Sequence, residues 1–125
     1  MRNRLLSLLL LSLYGSMLFA QEPLDINDVE RVPLGDFTYQ WRNIYDRTPL
    51  HGKCRIILSY RSYTIAHFNK DGILDGLYEK YEDNHLVQKL TYVKGILRGK
   101  GYEYYTDGTV KKECVWNEQG KIDGL

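Results

Sequence analysis

The chain has 125 residues, 43% of them hydrophobic, and a formal charge of +1. That length suits one domain, and so even a balance gives no electrostatic case for nucleic acid or for strong attraction to anionic lipid. None of the three histidines (His51, His67, His85) sits in a close ligand pair such as H-x-x-x-H, so no metal centre is expected.

The chain opens on the positive Met1-Arg2-Asn3-Arg4 and runs apolar from Leu5 to Leu13, interrupted only by Ser7 and Ser12. A small residue stands at Ala20. This pattern predicts a secretory signal peptide over residues 1–20, and hence a periplasmic or extracellular protein. The apolar run is short for a membrane span, which needs roughly 20 residues. Without Arg2 and Arg4 the chain carries 15 basic against 16 acidic residues. Residues 21–36 are acidic, hold two prolines and lack periodicity, which predicts a leader or loosely docked arm. Phe37-Thr38-Tyr39-Gln40-Trp41 alternates large and polar residues and predicts a strand that could cover the N-terminal edge of a sheet.

From there the chain repeats itself. Gly72-Ile73-Leu74-Asp75-Gly76 recurs as Gly95-Ile96-Leu97-Arg98-Gly99 and as Gly120-Lys121-Ile122-Asp123-Gly124, with a degenerate copy at Thr48-Pro49-Leu50-His51-Gly52. The closing glycines stand at 52, 76, 99 and 124, a period of 23 to 25 residues. Such a period means one small unit, stacked several times. After Gly76 the chain reads Leu77-Tyr78-Glu79-Lys80-Tyr81, Glu82-Asp83-Asn84-His85, then Leu86 to Tyr92. After Gly101 it reads Tyr102-Glu103-Tyr104-Tyr105, Thr106-Asp107-Gly108-Thr109, then Val110 to Trp116. Asp-Asn and Asp-Gly tolerate positive φ, so each unit is a strand, a tight turn and a strand. Gly72, Gly76, Gly95, Gly99, Gly120 and Gly124 turn one unit into the next.

The second strands carry a face pattern. Leu86, Leu90 and Tyr92 match Val110, Cys114 and Trp116; the first unit holds Ser62, Ala66 and Phe68 there. Lys89 and Glu113 point the other way. One face is apolar and one charged, as in a half-buried antiparallel sheet. The expected core is therefore Phe68, Leu86, Leu90, Tyr92, Val110, Cys114 and Trp116, with Phe68, Tyr92 and Trp116 as an aromatic column. Five strand spacings of about 4.8 Å would separate Cys54 from Cys114. A disulfide needs Cα atoms within about 7 Å, so two separate thiols are expected.

Gly-Ile-Leu-Asp-Gly-Leu-Tyr-Glu-Lys-Tyr-Glu-Asp-Asn (residues 72–84) with its adjoining apolar strand resembles the MORN repeat in its bacterial variant form. Two units match well (72–92 and 95–116), one is degenerate (48–68) and one is a bare start (120–125), so the repeat domain spans 37–125. The resemblance implies an all-β fold: an elongated single antiparallel sheet of stacked hairpins of about 24 residues. It implies binding or scaffolding, not catalysis. Bacterial members of this kind are often described as antitoxins, so toxin or immunity-like binding is one alternative. The first unit departs from the pattern, with Ile57 in place of the tyrosine.

The carboxylates Asp71, Asp75, Glu79, Glu82 and Asp83 are interleaved with Lys70 and Lys80 and predict a solvated rim. The serines lack the strained turn of a nucleophile elbow, and the glycines precede no helix that could cradle phosphate. No enzyme and no cofactor are expected. The expected contact surface is an exposed tyrosine face, with Tyr78, Tyr102 and Tyr104, or an open C-terminal strand edge that would capture a protein or a second copy. The other alternative is envelope association through lipid or cell-wall glycan.

Overall fold

The computed structural model describes residues 22–124. The expected signal segment, 1–20, lies outside the described residues. Those described form an all-β protein: β1 (Leu24–Asp25), a 3-10 turn (Ile26–Asp28), β2 (Val29–Gly35), β3 (Thr38–Asn43), β4 (Gly52–Ser59), β5 (Ser62–Phe68), β6 (Leu74–Glu82), β7 (His85–Val93), β8 (Ile96–Leu97), β9 (Gly99–Tyr104), β10 (Val110–Trp116) and β11 (Ile122–Gly124). One large sheet runs in the order β1-β4-β5-β6-β7-β9-β10-β11, with β8 beside β7; β2 and β3 form a second, two-stranded sheet.

The expected single antiparallel sheet is corrected twice. The large sheet is mixed, because β1 pairs parallel with β4 through Leu24↔Ile56 and Asp25↔Ile57. The supposed leader is also part of the fold. Asp25 caps the 3-10 turn by accepting the Asn27 N–H at 2.8 Å. The chain then returns as β2, and Leu24, Ile26 and Val29 pack on the core. Alternation in this stretch is broken by the turn, which hides its strands from a periodicity reading. The strand expected at Phe37 begins one residue later. Phe37 sits in the β2–β3 turn at φ 62° and is almost fully exposed.

The hairpins arise from the turn chemistry. Asp83 and Asn84 both adopt positive φ between β6 and β7. Asp107 accepts both the backbone N–H and the hydroxyl of Thr109, at 2.9 and 2.6 Å. Those two bonds hold its carboxyl below the usual aspartate range. Between hairpins, Asn69 and Asn117 act alike. The Asn69 Oδ1 accepts N–H groups from Asp71 and Ile73, and the Asn117 Oδ1 accepts those of Gln119 and Lys121. Gly72 and Gly120 close the two turns at φ 75° and 76°. Across each hairpin an aromatic side chain at or next to the end of the second strand stands opposite a glycine: Phe68↔Gly52, Tyr92↔Gly76 and Trp116↔Gly99. All three glycines have positive φ.

The core lies between the large sheet and the β2–β3 pair. Cys54 and Ile56 on β4 and Thr64, Ala66 and Phe68 on β5 alternate inward and are buried. Trp41, Leu50 and Leu74 complete it. Burying Ile56 fully contributes roughly 1.5–3 kcal/mol. The Trp41 and Phe68 rings meet at 5.5 Å, and the Trp41 N–H donates to the Gly72 carbonyl at 2.7 Å.

Candidate interaction surfaces

Pairing fixes which side chains share a face. One row runs Cys54–Ala66–Tyr78–Leu90 across β4 to β7, and Gly101–Cys114 continue it on β9 and β10. The two cysteines thus stand five strand steps apart, too far to reach each other. Over β4 and β5 the second sheet covers this face. Over β7 to β10 nothing described covers it. There Gln88, Leu90, Leu97, Trp116 and Ile122 line a mainly apolar groove of about 230 Å³. The Trp116 ring lies across Gly101, where a Cβ would run into that ring and come within 2.8 Å of the Leu90 Cδ2. A glycine here lets the indole lie flat on the sheet. Beside it, Phe37 and Asp36 of the β2–β3 turn join Tyr92, Ile96 and Leu97 around a second hollow of about 340 Å³.

The opposite face is aromatic and charged. Tyr63 and Tyr81 stack at 5.0 Å, and Tyr102 and Tyr104 at 6.0 Å. Glu79 is paired with Lys89, and Lys89 with Tyr102. Lys100 and Glu113 approach to 3.7 Å. Burial, and after it the Glu79 charge, raises the Tyr81 phenol; burial, then Tyr102, then Glu79 raise that of Tyr104.

The structure separates the three tyrosines expected on one contact surface. Tyr102 and Tyr104 share the charged face. Tyr78 lies in the Ala66–Leu90 row on the other side, edge-on to Tyr92 at 6.0 Å and packed against the core. Burial pushes its hydroxyl up. The expected core also needs correction. Phe68 and Cys114 are buried, and Leu90, Tyr92 and Trp116 are half-buried. Val110, however, is 51% exposed, because it opens β10 beside a register shift and no described strand packs beyond it. Leu86 parts from Leu90 and Tyr92. An irregularity between Lys80 and Tyr81 sets it opposite Tyr81, and a bulge of this kind switches the face of the residues beyond it. The column of Phe68, Tyr92 and Trp116 is broken up, since Phe68 takes Trp41 as its ring partner and Tyr92 takes Tyr78.

The last edge is only partly open. β11 pairs with Val115 and Trp116 of β10, leaving Val110 to Cys114 without a further strand among the described residues. Lys111 and Lys112 lie exposed along it. Lysines on an edge oppose strand addition, which favours the sheet face over the edge as a contact surface.

His67 sets its Nδ1 3.1 Å from the Leu77 carbonyl, and His85 pairs with Glu82 beside the hairpin turn. Among the described residues no group of three or more His, Cys, Asp or Glu is placed to hold a metal. Burial pushes the Cys54 thiol up, against a smaller opposing effect of the His51 backbone. Cys54 is therefore expected to stay unmodified by a disulfide reagent at pH 8 in the native protein and to react fully in denaturant. Rapid labelling of native Cys54 would show that β4 is not held as described.

No protein-family profile matches the chain, and no curated protein matches it. Among solved structures it is similar to TarM, with a TM-score of 0.42 and 14% identity, over 76% of this chain and 18% of that one. It is also similar to a substituted S. aureus TarM in complex with Fondaparinux, alpha-GlcNAc-glycerol and UDP, with a TM-score of 0.30 and 13% identity, over 76% of this chain and 16% of that one. The chain thus spans less than a fifth of these proteins, and TM-scores at this level do not establish a shared fold.

Proposed function

We propose that this chain is a MORN-like repeat protein that acts by binding another protein, without catalysis, on the uncovered half of its sheet face. The repeat reading is supported by the recurring glycine–aromatic pairs Gly52↔Phe68, Gly76↔Tyr92 and Gly99↔Trp116, which fall at equivalent points of units 48–68, 72–92 and 95–116. The observation that carries the binding reading is internal to the molecule. One face of one sheet is covered by the β2–β3 pair over its first half, while over Leu90, Leu97 and Trp116 in its second half no strand of the described residues covers it. An apolar patch bounded by polar residues marks an interaction site. The partner that fits is a protein segment offering what β2–β3 offers at the other end: a strand pair with an aromatic or aliphatic row. The charged opening and apolar run of residues 1–20 support a setting outside the cytoplasm.

The test is a crosslinked pull-down of the tagged full chain from its native envelope fraction, in three forms. Wild type and Tyr104→Ala, which lies outside the lining of the groove, should recover one stoichiometric protein, and Leu97→Asp should lose it at least tenfold, because a buried charge at the contact has no partner. Equal recovery by Leu97→Asp, or recovery of lipid or glycan in place of protein, would overturn the assignment. The second outcome would favour envelope association.

A further inference from the structure

At the other end of the molecule, on the charged face, a groove of about 520 Å³ opens beside the β4–β5 turn. Arg55, Arg61, Tyr60, Tyr63, Ser59 and Asn84 are among the residues that line it. Arg55 lies between Cys54 and Ile56, both buried inward, so its side chain belongs to the opposite face. Its guanidinium stacks over the Tyr63 ring at 4.2 Å, and that ring is backed by Tyr81. This fixes the planar group in one orientation, half-buried.

What Arg55 lacks is a counter-charge. Its Nε–H is buried and without an acceptor, and no carboxylate pairs with it among the described residues. In its own row the next carboxylate is Glu79, reached only across Ile65, two strand spacings or about 10 Å away. Arg61 brings a second positive charge to the same groove. Its Nε donates to the Tyr60 hydroxyl at 2.7 Å, and it meets Asp83 only at a loose 3.7 Å, with both side chains exposed. Among the residues that line the groove, two guanidinium groups thus face one carboxylate, Asp83. An Nε–H buried without an acceptor is costly, and the Nη groups beside it form a rigid fork of donors that matches a carboxylate or phosphate in two-point contact. The Ser59 and Ser62 hydroxyls and the Asn84 amide add neutral donors, and Ile57 with the exposed Tyr60 ring supplies an apolar wall.

We infer that this groove is an oxyanion site, in which Arg55 and Arg61 together hold the carboxylate, phosphate or sulfate group of a small molecule. Arg55 makes the two-point contact and Arg61 adds the second charge. The site lies on the face opposite the Leu90–Trp116 groove, so it stands independently of the protein-binding reading.

The test is a titration of the full chain monitored through its arginine Nε–H resonances, at constant ionic strength in chloride. Inorganic phosphate and acetate are the two probes, and they separate a phosphate from a carboxylate source. The expected result is a saturable shift of the Arg55 resonance with at least one probe, while that of exposed Arg47 drifts linearly. Arg61→Gln should weaken binding about tenfold. Arg55→Lys keeps the charge and most of the stem, and should abolish saturation at Arg61 with the rest of the spectrum unchanged. Linear, parallel drift of Arg55 and Arg47 with both probes would overturn the proposal. Undiminished saturation in Arg55→Lys would overturn it as well.

Discussion

Replacing Trp41 with alanine should cost roughly 3–5 kcal/mol of folding stability. The indole is nine-tenths buried, tilts against Phe68 at 5.5 Å and lies under the Arg31 guanidinium at 5.4 Å. It is also the main anchor between the two sheets. Leu50 reaches the core beside it, with its N–H bonded to the Trp41 carbonyl at 2.9 Å. Truncation would leave a cavity between layers, and the Trp41–Gly72 and Leu50–Trp41 backbone hydrogen bonds hold β3 against closing it. Small domains have only about 5–15 kcal/mol to lose. Urea unfolding monitored by far-UV circular dichroism measures the cost. A loss under about 1 kcal/mol would mean that the β2–β3 pair does not dock on the large sheet as described.

The second large effect is expected at Gly72. Its φ of 75° already disfavours any side chain, and an added Cβ would lie 2.5 Å from the Trp41 carbonyl oxygen and 3.0 Å from the Pro49 Cβ. A backbone oxygen cannot rotate aside as the end of a side chain can. Gly72→Val must therefore break the Trp41–Gly72 hydrogen bond or displace the 49–50 segment, and should cost more than about 3 kcal/mol. Gly99 is the internal control. It has a similar φ of 73° but nothing within 4 Å of an added Cβ. Gly99→Ala should show the left-handed strain alone, about 1–2 kcal/mol, or a melting temperature lower by roughly 4–8 °C per kcal/mol. Gly76 falls between the two, since its Cβ would meet only the His67 side chain at 3.0 Å. Equal melting temperatures for Gly72→Val and Gly99→Ala would show that the close approach to Trp41 does not exist.

These glycines also show what is legible in the sequence. Their spacing marks the hairpins, because only a few residue types accept positive φ and the chain places them at turns. The row of apolar second-strand residues defines one face correctly at Leu90, Tyr92 and Cys114. It fails at Leu86 and Val110, where register shifts next to the turns break strict alternation, and a shift of one residue is invisible to a period count. Tyr78 misleads for a different reason. Its neighbours Glu79 and Lys80 make it look like part of a solvated strand, but its partner across the sheet is Ala66, whose small side chain leaves room for the ring to lie over the core. The cover provided by residues 24–35 cannot be found by periodicity at all. Strands of two and seven residues around a 3-10 turn carry too little pattern, and their docking depends on Trp41 and Phe68 meeting across the fold. The Arg55 groove is equally hidden, since a missing counter-ion is a property of three-dimensional neighbours.

The parallel pairing of β1 with β4 has a consequence for how such a molecule can be lengthened. A copied hairpin pasted between β7 and β9 would find an antiparallel neighbour on each side, and its glycines would already suit the turns. The same hairpin pasted ahead of β4 would strip β1 of its partner and carry Trp41 away from Phe68. If the proposed repeat reading holds, duplication would therefore be tolerated in one direction only, with the β4–β5 hairpin held in place by its parallel partner β1.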